Sequence, residues 1–80
     1  MNKDQKNKIL KTIQETLGIE NIEDITPDSE FVADLNASFE EIKTIITKTE
    51  EALNIELEFK EPYQELTINK FFEILEESFI

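Results

Sequence analysis

One hydroxyl in this chain stands where its type and spacing suit a definite task. Ser38 sits directly ahead of an apolar pattern of helical period and three residues before Glu41. Serine followed three residues later by glutamate is a capping box. The hydroxyl accepts a hydrogen bond from the backbone N–H three residues on, and the glutamate reaches back to the serine's own N–H. Other chemistry is poorly supplied. With no cysteine and no histidine, the usual nucleophile–base pairs and soft metal ligands are missing. Acid–base catalysis would have to rest on carboxylates, lysines or the single tyrosine, so an enzyme is not expected. Asp28-Ser29-Glu30 lacks the glycine and the closing glutamate of an EF-hand loop, and no dedicated metal site is expected there.

Eighty residues make one domain, near the lower limit of what folds without disulfides or metals. Six phenylalanines give a small core bulk, while one glycine and two prolines speak against a loop-rich or all-β chain. Nineteen acids against eight lysines leave a net charge of −11. Such a surface repels nucleic acid and anionic membranes and attracts basic protein patches. No apolar run reaches the roughly 20 residues that span a bilayer, and Met1 to Lys11 lacks the apolar core of a secretion signal. A cytoplasmic protein is expected.

The elements that must position Ser38 follow from periodicity. Ile9, Leu10, Ile13 and Leu17 form one stripe on a helix from Lys3 to Leu17, which Gly18 ends. Residues 19–37 read as a long ordered loop anchored by Ile19, Ile22, Ile25, Phe31, Val32 and Leu35, with Thr26-Pro27-Asp28-Ser29 as a turn. A second helix runs from Phe39 to Leu53 on Phe39, Ile42, Ile46, Thr49 and Leu53, joined by Ile45 and Ala52. Ile55, Leu57 and Phe59 alternate with glutamates, but a lone strand has no partner, so an extended connector is expected. Pro62 suits the first turn of a short helix near Glu61 to Leu66. Thr67 then caps a last helix through Glu77, burying Phe71, Phe72, Ile74, Leu75 and Phe79 wholly or in part.

Leu17-Gly18-Ile19, the stretch Ile25 to Phe31, Asp34-Leu35, Glu50-Glu51 with Leu53, Ile55-Glu56-Leu57 and Leu66-Thr67-Ile68 share an order and spacing. In these the chain resembles the acyl carrier proteins over nearly its whole length. That family's signature, Asp-Leu-Gly-x-Asp-Ser-Leu, leads into a helix, and its serine bears a phosphopantetheine arm that holds acyl groups as thioesters. Here the stretch reads Asp34-Leu35-Asn36-Ala37-Ser38-Phe39. Asn36 replaces the glycine, no aspartate precedes Ser38, and the serine arrives one residue early. A gapless alignment from Phe31 to Leu57 sets Phe39 at the attachment position and Ser38 on the preceding aspartate. A one-residue deletion in the corner before the helix instead makes Ser38 the attachment point. Both alignments stand at this level.

The resemblance implies an all-α, four-helix bundle over residues 1–80 with a long first loop and a short third helix. It implies a monomer, with phosphopantetheine attached to Ser38 by a phosphopantetheinyl transferase, serving fatty acid or related synthesis. Asp34, Glu40, Glu41, Glu50 and Glu51 match the acids with which the family meets basic patches on acyl-processing enzymes, although Lys43 and Lys48 interrupt that face. Ile42, Ile46, Leu57 and Phe71 would line an acyl cavity or fill the core. The alternative from another class is an unmodified carrier-fold module that docks on a partner protein. The charge itself generates a prediction: with a net −11, mutual repulsion of the acids predicts a melting temperature that rises with added salt or divalent cations. Thermal melts unchanged from low to moderate salt would refute it.

Overall fold

Three α-helices form where the spacing predicts them. A computed structural model describes residues 2–60 and 62–78, and its helices are α1 (Lys3–Leu17), α2 (Phe39–Leu53) and α3 (Ile68–Glu77). Each starts on a local cap. Asn2 and Ser38 close capping boxes on α1 and α2, and the Thr67 hydroxyl accepts from Lys70 N–H at 3.1 Å on α3. Gly18 ends α1 at φ 68° and Asn54 ends α2 at φ 54°, both left-handed. A side chain at Gly18 would meet nothing within 4 Å, so only the backbone conformation favours glycine there.

α1 and α2 pack directly on each other through Ile9 and Ile13 from α1 and Ile42, Ile45 and Ile46 from α2, all buried. α3 adds Ile68, Phe71, Phe72 and Leu75. The long first connection supplies Phe31, fully buried, whose ring meets Phe71 edge-on at 5.6 Å between centroids. That connection is ordered throughout. It holds a 3₁₀ turn at Ile22–Asp24, a turn closed by Ser29 N–H to Thr26 O at 3.0 Å, and an isolated antiparallel bridge between Glu30 and Thr67. The radius of gyration, 11.5 Å, equals the roughly 11.6 Å expected for a compact chain of this length. The loop therefore lies on the helices instead of projecting from them.

Several expectations are corrected. The short helix read near Glu61 to Leu66 is a single 3₁₀ turn, Tyr63–Glu65, with Glu61 outside the described residues. Pro62 takes ψ 128° and Leu66 ψ 124°, so extended backbone bounds the segment on both sides. So short a piece cannot repay helix nucleation, and among the described residues the helices number three, not four. Ile22 is 40% exposed and anchors nothing, because the 3₁₀ turn carries it outward. Ala52 is exposed as well. Phe79 lies outside the described residues. The connector after α2 is extended, with Ile55, Leu57 and Phe59 half-buried and Glu56 and Glu58 exposed.

Phe71 touches the fold's other aromatic rings most often, meeting Phe31, Phe59 and Phe72. Phe71→Ala is expected to cost about 3–5 kcal/mol, most of the stability of a domain this small. Urea unfolding followed by circular dichroism measures it, and a loss below about 1 kcal/mol would contradict this account of the core.

Candidate functional site at the head of α2

The corner that delivers Ser38 is built by backbone bonds from the loop before it. Asp34 N–H donates to Glu30 O at 3.0 Å, and Asp34 Oδ2 accepts from Glu30 N–H at 2.8 Å. Asn36 then takes φ 56°, a conformation that suits glycine and that asparagine tolerates better than most residues. Ala37, buried, donates its N–H to Phe31 O at 2.8 Å. The chain is thus fixed one residue before Ser38.

Ser38 is the N-cap of α2, at φ −82° and ψ 162°. Its Oγ accepts from Glu41 N–H at 3.1 Å, and Glu41 Oε1 accepts from Ser38 N–H at 2.9 Å. The capping box is complete, on the exposed surface. Phe39 is the first helical residue and is 47% exposed. Its ring meets Tyr63 edge-on at 5.5 Å, and Tyr63 meets Phe59, which meets Phe71. A line of aromatic rings therefore runs from the core to the residue beside Ser38. The other serines are placed differently. Ser29 is buried and bonded to Thr26, while Ser78 ends α3 with its hydroxyl donating to Ile74 O.

The five acids matched to partner contacts divide into two groups. Asp34 and Glu41 hold backbone donors in the corner just described. Glu50, half-buried, accepts from Leu57 N–H at 2.9 Å and so pins the extended connector to α2. Glu40 and Glu51 are exposed. Glu51 shares an open depression on the outer face of α2 with Lys43, Thr44, Thr47 and Lys48, so both signs of charge occupy that face. Ile42, Ile46 and Phe71 are buried in the packed core, with Leu57 against it. Among the described residues no three carboxylates converge to hold a metal ion, and no helix is long and apolar enough to cross a membrane.

Sequence reasoning missed the Phe39–Tyr63 pair and the structural duty of Glu50. Neither has a local signal, since each joins α2 to the connector beyond it. The capping geometry predicts that Ser38→Ala lowers stability by about 0.5–2 kcal/mol while Ser38→Asp stays within about 0.5 kcal/mol of the parent. Chemical denaturation of the two variants decides it, and equal losses would remove the cap from the account. Compared with protein-family models, curated proteins and solved structures, the chain matches none.

Proposed function

We propose that this chain is a cytoplasmic, monomeric acyl-carrier-type domain that bears phosphopantetheine on Ser38 and presents acyl intermediates, as thioesters, to enzymes of fatty acid or related synthesis. The supporting observation is the position of Ser38: an exposed serine at the head of α2, where Ser29 and Ser78 offer nothing equivalent. Capping and attachment draw on different parts of the hydroxyl. The cap uses an oxygen lone pair to accept from Glu41 N–H, whereas ester formation removes the proton. An attached phosphodiester would lie at a helix N-terminus, where its negative charge is favoured. The left-handed Asn36 holds the conformation for which glycine, the family's residue there, is suited, which supports a carrier-type fold but does not by itself favour the loading of Ser38. In this reading the 3₁₀ turn at Tyr63–Glu65 stands in for the short third helix of a four-helix carrier bundle.

The arm would do most of the chemistry's work by raising the effective concentration of its cargo at each partner's active site. Glu40 and Glu51 are the acids best placed to meet a basic patch, since Asp34, Glu41 and Glu50 already serve backbone donors. A second reading, an unmodified module that docks on a partner, is favoured by Phe39. That ring occupies the first helical position, half-exposed and braced on Tyr63, where the gapless alignment sets the attachment residue.

Intact-mass measurement after incubation with coenzyme A and a broad-specificity phosphopantetheinyl transferase separates the two. The carrier reading expects a gain of one phosphopantetheinyl group that Ser38→Ala abolishes. No gain in a protein shown to be folded would sink it and leave the docking module.

A further inference from the structure

We propose that a cleft between α1, the segment around Ile25 and the start of α3 binds a small monocarboxylate with a short apolar tail. No residue of α2 lines this cleft, so the site is separate from Ser38 and stands whether or not that serine is loaded. Leu10, Ile25, Ile68 and Phe72 give the cleft apolar walls, and Lys6 and Asn69 are its polar side chains. Lys6 and Leu10 lie one turn apart on α1, as do Ile68 and Phe72 on α3, so α1 presents one polar and one apolar position to this space and α3 presents two apolar positions beside Asn69.

Charge and volume select the ligand. Residues 3–11 carry four lysines and one aspartate, a local +3 in a chain of net −11, so the remaining residues sum to −14. Among the described residues Lys6 makes no ion pair; its Nζ sits 5.7 Å from the centre of the Phe72 ring. An ammonium held against an aromatic wall on the lip of an apolar cleft lacks an anion. Lys3, one turn earlier on the same side of α1, reinforces the local potential. The cleft is small, about 180 Å³, so a short apolar tail fills it and the further methylenes of a long acyl chain would extend past its walls into solvent without adding burial.

Acids near the cleft favour a single, confined negative charge. Asp24 and Asp28 flank Ile25 and Pro27 in the chain, and Glu73 accepts from Asn69 Nδ2 at 3.4 Å while pairing with Lys70. A phosphate dianion or an acidic peptide would meet these carboxylates. A monocarboxylate held at Lys6, with its tail inward, brings the least charge to set against them.

The test is an NMR titration of the folded chain with sodium hexanoate as probe, at constant ionic strength, with hexan-1-ol and dodecanoate in parallel. The proposal expects saturable shifts at Leu10, Ile25, Ile68 and Phe72, with Ile42 and Ile46 unmoved. It also expects Lys6→Gln, a change at an exposed residue, to weaken hexanoate binding about tenfold or more. Overturning results are shifts that never saturate, equal binding of hexan-1-ol, indifference to Lys6→Gln, tighter binding of dodecanoate, or perturbation centred on Ile42 and Ile46.

Discussion

Two main-chain hydrogen bonds, Phe31 N–H to Leu66 O at 3.0 Å and Ile68 N–H to Ser29 O at 2.9 Å, tie the long first connection to the start of α3. The rest of the molecule depends on that tie. Residues 19–37 would otherwise be a loop whose ordering costs about 1–2 kcal/mol per residue, with few side chains to repay it. The bonds bring Phe31 into edge-on contact with Phe71, and burial of that pair supplies the driving force which the loop's polar residues lack. Asn69 N–H to Pro27 O, at 2.9 Å, extends the contact. The first turn of α3 therefore spends its free donors on the loop, and the loop satisfies its own carbonyls on the helix. Each solves the other's unpaired backbone groups.

From that anchor the head of α2 follows in short steps. Phe31 O receives Ala37 N–H, Asn36 turns the chain in the left-handed region, and Ser38 meets the helix in cap geometry. Carboxylates do much of the fastening: Asp34 holds Glu30 N–H, Glu41 holds Ser38 N–H, and Glu50 holds Leu57 N–H. Hydrogen bonds to charged acceptors contribute more than neutral ones, about 1.5–3 kcal/mol against about 1. Part of the acid excess thus stabilises loops that a small core leaves weakly packed, although the same charges repel one another at longer range. Short-range bonding outweighs repulsion only because these three carboxylates sit within hydrogen-bond distance of backbone donors.

What could be read in advance was what is local. Gly18 after a helical stripe, Ser38 with Glu41, and Thr67 ahead of Phe71 each carry their meaning within a few residues, and the end of α1 and the starts of α2 and α3 fall where these signals stand. Misreadings arose where distant contacts decide. Pro62 suggested a helix, yet the segment is held by extended backbone on both sides and reaches only one 3₁₀ turn. Phe39 fits the apolar spacing of α2 but lies half-exposed, because Tyr63 gives it an edge-on partner at the surface. At the site, the cap on Ser38 was legible, but the division of the five acids was not. Glu50 finds Leu57 only after the connector has folded back, and nothing in the spacing of Glu40, Glu41, Glu50 and Glu51 distinguishes an anchored carboxylate from an exposed one.

The early serine also meets a physical constraint that alignment alone leaves open. Making Ser38 the first helical residue would require the corner to lose its cap. Glu41 would no longer reach Ser38 N–H, the bond from Ala37 to Phe31 O would have to move, and the left-handed turn would fall on a different residue. Several bonds of about 1 kcal/mol each, with the conformational preference of Asn36, oppose such a shift. On the proposal that Ser38 is loaded, the modifying enzyme would have to take the hydroxyl as an N-cap, with Phe39 and its aromatic brace immediately beside it. That geometry would narrow such an enzyme more than the acidic surface does. An acidic surface can be met by many basic faces, but a serine in a capping box next to a half-exposed phenylalanine would call for an apolar pocket within one residue of the hydroxyl.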